Sequence, residues 1–204
     1  MAQDLKSSSV ITATALDADG LSTAAAVGNN AALTLSGALT SGGAYTADSG
    51  TARPITLLSA GDDSGITFTV VGTDIHGDAQ SETVTGADTG TATSSGYFAT
   101  ISSITAVGNP AGDVSAGINA NVAGVIFKGR TRVKNLIWSG GGAIGTINIR
   151  NSSISGTSLI AVRSDPTLGV NAQLSLDPDG VLFDSGAYIT YAETQCNSVT
   201  AFYG

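Results

Sequence analysis

The stretch from Gly65 to Gly86 alternates apolar and polar side chains on both sides of a short turn. In its first half Ile66, Phe68 and Val70 are separated by single threonines, and the turn falls at residues 76–78, whose central residue is glycine. An alternation with a period of two is typical of a β-strand that buries one face. The stretch therefore predicts a β-hairpin, and the same pattern recurs to the C-terminus.

The composition favours thin β-cores. Hydrophobic residues make up 42% of the 204 residues, but aromatic residues only 5%, and many of the apolar residues are alanine. Charged residues are 12%, which is about half the share in an ordinary soluble domain. The chain is too rich in apolar and β-branched residues for wholesale disorder. It also has no run near the roughly twenty apolar residues of a membrane span, so we expect no membrane partner.

The strand pattern divides the chain into three parts. Residues 1–50 are rich in Gly, Ala, Ser and Thr and predict an irregular arm with short strands at Val10–Ala15 and Ala32–Leu35. Residues 51–120 predict a β-sandwich-like module, and residues 121–204 predict a C-terminal jelly-roll or immunoglobulin-like sandwich. The predicted fold is therefore all-β, with two small antiparallel sandwich or barrel units preceded by the arm.

The formal charge of −8 is unevenly distributed along the sequence. Up to residue 120, eleven acidic residues stand against Lys6 and Arg53, whereas from residue 121 onward five acidic residues face six basic ones. Such an asymmetry bears on partners and solubility rather than on the fold. It argues against nucleic-acid binding by the N-terminal part, and we expect no nucleic-acid partner.

Four basic residues follow one another at two-residue spacing: Lys128, Arg130, Arg132 and Lys134. On one extended strand all four would point to the same face and present a row of positive charge. This row predicts a docking site for an acidic partner. The alternatives are a solvated strand that resists edge pairing by its like charges and contacts to phosphate groups. A bulge at Gly129 would weaken the prediction.

Few residues could carry chemistry. His76 is the only histidine and lies in the predicted hairpin turn, while Cys196 is the only cysteine and suits a small buried side chain. Zinc sites with the usual ligands and a conventional Ser-His-Asp triad are therefore not expected. The acidic turns at 17–20 and 177–180 lack the further ligands of an EF-hand. We predict no catalytic residue, cofactor or metal site, no enzyme activity, and a core position for Trp138.

Four stretches of the sequence carry a resemblance to a known family. The run from Arg53 to Asp74, continued by Glu82 to Ala87, resembles a β module of structural proteins in tailed bacteriophages, especially marine and cyanobacterial ones. The segments Phe98 to Ile104 and Ser198 to Gly204 are similar to endings of small phage virion β-domains. The resemblance implies a virion component, and the family offers no catalytic residues to carry over.

The resemblance and the residues together predict a capsid decoration, or cement, protein that clamps neighbouring major capsid subunits. The expected partners are the major capsid protein or other virion proteins, with self-association as a dimer or trimer. The expected location is the virion, assembled in the cytoplasm of a bacterial host. The alternatives are a tail, connector or fibre-base component and a carbohydrate-binding or adhesive β-sandwich; exposed aromatic residues on loops would favour the adhesin.

Overall fold

The computed structural model describes residues 6–7, 11–12, 14–166, 172–176 and 179–204. Within these residues the backbone forms β-strands joined by turns and contains no α-helix. Every strand pairing described is antiparallel, and none of the sheets closes into a barrel. The all-β prediction is therefore confirmed, with sandwiches rather than barrels.

The strands are named in chain order. The first ten are β1 Lys6–Ser7, β2 Ile11–Thr12, β3 Ser22–Ala26, β4 Thr40–Ser41, β5 Ala44–Thr46, β6 Thr51–Ala52, β7 Ile55–Ser59, β8 Thr67–Thr73, β9 Ala79–Thr85 and β10 Thr91–Thr93. The others are β11 Thr100–Val107, β12 Asp113–Ile118, β13 Asn121–Phe127, β14 Thr131–Gly140, β15 Gly145–Asn151, β16 Ser158–Ser164, β17 Ala172–Ser175, β18 Val181–Phe183, β19 Ala187–Ala192 and β20 Cys196–Tyr203.

The chain forms two compact units that interleave in sequence. Unit 1 contains residues 1–14, 48–51 and 121–204, and unit 2 contains residues 15–47 and 52–120. The segment predicted as an N-terminal arm is thus divided between the units, and most of it belongs to unit 2. The physical reason is that the core of that unit includes four buried residues of the segment: Leu21, Leu33, Leu35 and Tyr45. These few apolar residues anchor a segment whose composition is otherwise typical of an irregular arm.

Two short strands were predicted in this segment. The structure has Ile11–Thr12 within the predicted strand Val10–Ala15, of which Val10 and Ala13 lie outside the described residues. The predicted strand Ala32–Leu35 was wrong, because only Ala32 forms a β-bridge, to Thr105. The backbone beyond it is irregular and gives a single amide hydrogen bond from Leu33 to Ile104.

Unit 2 contains two sheets around one core. Their strand orders are β10-β7-β12-β3 and β4-β5-β11-β8-β9. The predicted hairpin is confirmed, because β8 and β9 pair along their whole length from Thr67 opposite Thr85 to Thr73 opposite Ala79. At its tip one carboxylate oxygen of Asp74 accepts the amide hydrogens of residues 76 and 78 at 2.8 and 2.9 Å. Alternate residues of β8, such as Phe68, are fully buried.

Unit 1 also contains two sheets. One has β20 and β14 at its centre, with β1 and β2 on β20 and β17 and β18 on β14; the other has the order β16-β15-β19-β13-β6. Trp138 and Cys196 are both buried in the core of this unit, as predicted. The Tyr191 hydroxyl donates to the carbonyl oxygen of Ile11 at 3.1 Å and so attaches the N-terminal β2 to this core.

Candidate docking surfaces

The four predicted site residues do not lie on one strand. Strand β13 ends at Phe127 and β14 begins at Thr131, so Lys128 and Arg130 lie in the bend between the two strands. Only Arg132 and Lys134 belong to β14. The prediction of one continuous basic row was therefore wrong, because a bend at residues 128–130 separates β13 from β14, which belong to different sheets.

Arg132 and Lys134 alternate with Val133, which is fully buried in the core of unit 1. Their side chains accordingly leave the opposite face of the sheet. The Arg132 guanidinium donates one hydrogen bond of 3.0 Å to the carbonyl oxygen of Asp179 and a longer one of 3.4 Å to that of Gly180. Arg132 therefore holds the turn before β18. Of the predicted acidic turn at 177–180, Asp177 and Pro178 lie outside the described residues.

The bend itself is open to solvent. Lys128 and Arg130 are exposed, and the Arg130 guanidinium lies 3.8 Å from the Asp184 carboxylate, with both side chains 69% exposed. A pair of this kind contributes roughly 0 to 1 kcal/mol in water. The arginine therefore loses little if it exchanges this partner for another carboxylate.

Phe127 directly precedes the bend that carries these cations, and the sequence reasoning missed it. Its side chain is 40% exposed, and its ring centroid lies 5.2 Å from that of Tyr203 in a tilted arrangement. The ring is thus held in place while one part of it faces water. We call Phe127, Lys128, Arg130 and Arg132 the bend surface. The available signal was an aromatic residue that directly precedes the basic run.

A second surface lies on unit 2, on the outer side of the sheet that contains β8, β9 and β11. Threonines form cross-strand pairs there: Thr67 with Thr85, Thr69 with both Thr83 and Thr105, and Thr73 with Thr100. The Thr73 and Thr100 hydroxyl oxygens are 2.7 Å apart and hydrogen bonded. We call the outward side chains of these three strands the threonine face.

The threonine face carries no charge. The only charged residue in the five strands of its sheet is Glu82, and Glu82 pairs with the fully buried Val70, so it points to the inner side. There its carboxylate accepts hydrogen bonds from the Ser95 amide and hydroxyl at 2.7 and 2.8 Å and from the Gly96 amide at 2.8 Å. The glutamate therefore attaches β9 to the loop after β10 and leaves the outer face neutral.

The rest of unit 2 is strongly acidic. Its sequence segments contain nine acidic residues against Arg53 alone, which accounts for the whole formal charge of −8, whereas unit 1 has seven of each sign. Arg53 is only 2% exposed, and its Nε atom donates to the Asn119 carbonyl oxygen at 2.9 Å. Its positive charge is therefore buried, and the charged groups on the surface of unit 2 are carboxylates.

Unit 2 also has a shallow groove of about 200 Å³. It is lined by aliphatic, threonine and asparagine side chains: Leu16, Ala18, Thr56, Leu58, Thr91, Ile118, Asn119 and Ala120. Leu16 and Leu58 are 51% and 43% exposed. The lining offers no aromatic ring for stacking on a sugar.

The residues that could act in catalysis or metal binding do not lie together. His76 is exposed at the hairpin tip, and burial raises the pKa of the Cys196 thiol to about 12. Among the described residues, no group of three or more His, Cys, Asp or Glu is placed to hold a metal ion. Across the same part of the chain, no helix has the length and apolar character needed to cross a membrane.

Comparison with known proteins gives little. No protein-family model matches the chain, and no curated protein matches it. Among solved structures the chain is similar to allantoicase from Saccharomyces cerevisiae, with 8% sequence identity, a TM-score of 0.28, and coverage of 79% of this chain and 76% of that chain. Allantoicase is an enzyme, so this match corrects the prediction of no enzyme activity, which is withdrawn. At this TM-score the likeness assigns no activity to the chain.

Proposed function

We propose that this chain is a structural component of a tailed-phage virion, a capsid decoration protein that bridges neighbouring major capsid subunits. The family resemblance lies mostly in unit 2, in the stretches from Arg53 to Asp74, from Glu82 to Ala87 and from Phe98 to Ile104, and it also includes Ser198 to Gly204 of unit 1. The bend surface of unit 1 supplies a docking site. Attachment through one unit would leave the other free to reach a second neighbour, as a bridging protein requires.

The observation that carries the proposal is the combination of side chains at the bend surface. Aromatic residues and arginine are the types most enriched in protein interfaces and in their energetic hot spots. Here a partly exposed phenylalanine directly precedes Lys128 and the bend that carries Arg130, whose only described carboxylate contact is an exposed pair 3.8 Å long. The fitting partner is an acidic protein surface with an apolar pocket for the Phe127 ring.

Electrostatics then sets orientation and encounter rate more than affinity. Complementary charge steers association, whereas each exposed pair contributes only roughly 0 to 1 kcal/mol. A single replacement of a basic residue should therefore matter little, and a combined replacement that also removes the ring should matter much. Binding should weaken as salt is added, because the screening length is about 10 Å at 0.1 M salt.

The test uses purified phage particles that lack this protein, to which the full chain is added back at low salt. The variant Phe127→Ser/Lys128→Gln/Arg130→Gln should bind at least about 10-fold more weakly, a loss of about 1.4 kcal/mol or more. It leaves Arg132 in place, so the turn before β18 is preserved. Equal binding of variant and parent would show that docking occurs elsewhere.

The matched control is Leu159→Ser/Arg163→Gln, which removes an exposed apolar residue and an exposed arginine of β16 together, as the test variant does at the bend. Arg163 is also an exposed arginine of unit 1 beside a carboxylate, 3.4 Å from Asp165, with 66% of its side chain exposed. The control should bind like the parent.

Particles that lack the protein should assemble but break at lower temperature, because a bound ligand stabilises an assembly by mass action. Antibody labelling of the tail instead of the head would favour the tail alternative.

A further inference from the structure

We propose that the threonine face of unit 2 is a self-association surface, which pairs with the same face of a second copy of this chain. The proposal does not depend on the virion assignment. It rests on the charge distribution of unit 2, on the side chains that the face presents, and on its size.

The charge distribution of unit 2 favours a second copy of this chain as the partner of the threonine face. Unit 2 has a formal charge of −8, and its single base is buried, so two copies repel each other over most of their surfaces. The threonine face is different, because the only charged residue of its five strands points inward and is hydrogen bonded there. Two copies can therefore meet at this face without bringing like charges into contact. An isologous contact requires such a self-compatible patch.

The side chains of the face suit a sheet-to-sheet contact. Threonine presents a methyl group beside its hydroxyl, and β-branched side chains are stiff, so ordering them costs little entropy. Val71 and Val107 add apolar area, with exposed fractions of 37% and 51%. Opposing hydroxyl groups can exchange hydrogen bonds, as the Thr73 and Thr100 hydroxyls do within the sheet.

The acidic residues at the strand ends fix how two such faces can cross. Asp74 and Asp78 lie at the hairpin tip, and Asp62 and Asp88 form a β-bridge in the loops beyond the other end of β8 and β9. Aligned packing would place acidic strand ends over each other. Packing near 90°, the other common arrangement of two sheets, keeps them apart. We infer that the strands of the two copies cross at a large angle.

The size of the face predicts a weak dimer. Three neighbouring strands at about 4.8 Å spacing and seven residues at about 3.4 Å rise cover roughly 340 Å² per copy, or roughly 690 Å² in total. Stable interfaces bury at least about 1,200 Å². We therefore expect a dissociation constant between about 10 μM and 1 mM. Added salt should strengthen the dimer, since it screens the repulsion between two negatively charged units.

The test is sedimentation equilibrium of the full chain up to about 1 mM, at low and high salt. Val71→Lys places a charge at the centre of the face and should weaken the dimer at least about 10-fold. Because this replacement also lowers the net negative charge, association governed by net charge alone would instead be strengthened. That result, or a monomer at every concentration and both salt levels, would overturn the proposal.

The matched control is Leu58→Lys. Leu58 is also an exposed branched apolar residue on a strand of unit 2, 43% exposed, but it lies on β7 in the other sheet and lines the groove. It should leave the dissociation constant unchanged, and an equal loss in both variants would place the contact outside the threonine face. Thr83→Lys on the exposed part of β9 repeats the test at a second position. The bend-surface variant should dimerise normally, which separates this proposal from the proposed function.

Discussion

Units 1 and 2 are both two-sheet sandwiches, but the side chains that attach several of their loops differ in kind, although each unit also has an attachment of the other kind, through Arg53 in unit 2 and Asp48 in unit 1. In unit 2 carboxylates accept hydrogen bonds from loop amides: Glu82 from Ser95 and Gly96, and the buried Asp63 from Ala111 at 2.7 Å. In unit 1 donors bind loop carbonyls: Arg150 bonds Gly156 at 3.0 Å. Arg132 and Ser164 do the same, and the Tyr191 hydroxyl donates to the carbonyl oxygen of Ile11 in β2.

This difference accounts for part of the charge asymmetry of the sequence. A loop amide N–H needs a hydrogen-bond acceptor, and a carboxylate is the strongest acceptor that a side chain supplies. A loop carbonyl calls for a donor, which arginine provides in several directions. The acidity of unit 2 is therefore partly structural, and only the carboxylates that are not occupied in this way are available for partners.

The largest effects should come from the cores. Phe68 in unit 2 and Phe183 in unit 1 are both fully buried, and replacement of either by alanine should cost about 3 to 5 kcal/mol of unfolding free energy. Phe68→Ala should reduce amide-exchange protection in β8, β9 and β11. Phe183→Ala should shift the urea unfolding transition that is monitored by the fluorescence of Trp138, the single tryptophan, to a lower urea concentration. An equal shift of that transition in Phe68→Ala would show that the two cores unfold as one.

The loop attachments should contribute less. Glu82→Ala removes a carboxylate that accepts three hydrogen bonds. It should lower the unfolding free energy by about 1 to 3 kcal/mol, measured by urea denaturation with amide exchange as the probe. Glu82→Gln keeps one carbonyl acceptor and should cost less. The counterpart in unit 1 is Arg150→Ala, which loses donors to Thr190 and Gly156. If only the arginine variant were destabilised, the comparison between acceptor and donor attachments would fail.

Alkaline pH should act on unit 1 through its cysteine. Burial raises the pKa of the Cys196 thiol to about 12, so the folded state holds this proton more tightly than the unfolded state. Its contribution to stability is complete below the unfolded value, about 8.5, and is lost as pH rises through that value toward 12. Urea denaturation followed by Trp138 fluorescence should show this decline. In Cys196→Ala the decline should be reduced, and an unchanged decline would assign it to other groups.

Acid pH should act on unit 2, with the smallest effect at an exposed turn. Hydrogen bonds from the Ser64 hydroxyl and then from its amide lower the pKa of Asp62 below 3.8. A lowered folded-state pKa stabilises the fold above the unfolded value and loses this contribution as pH falls through the folded value. The exchange protection of the Ser64 amide should fall with it. Protection that persists unchanged at the lowest pH would show that the turn does not need the carboxylate.

Much of the local structure was predictable from the sequence. The alternation of Ile66, Phe68 and Val70 with threonine predicted β8 and its buried face, and the polar turn with Gly77 at its centre predicted the hairpin tip. Glycine is suited to this place because its φ of +89° is rarely adopted by other residues. Trp138 and Cys196 were predicted as core residues for the same reason, since the side-chain period of a strand is a local property.

The candidate surfaces were less predictable. Spacing placed Lys128, Arg130, Arg132 and Lys134 on one strand, but the bend after Phe127 depends on how β13 and β14 cross between two sheets. The role of Glu82 was also hidden, because the sequence does not reveal that Ser95 and Gly96 come within hydrogen-bond distance of β9. The threonine face required the register of β8, β9 and β11, which decides which hydroxyl groups become neighbours.

The sequence by itself determined the strand period, the turns, the absence of a second histidine or cysteine, and the excess of acidic residues, because each of these is set by residue identity and near neighbours. The tertiary structure alone decided that residues 15–47 pack into unit 2 and that Arg53 is withdrawn from the surface. It also placed the whole net charge on unit 2 and left one of its faces neutral. These properties depend on contacts between residues distant in sequence, and local pattern carries no information on which of them meet.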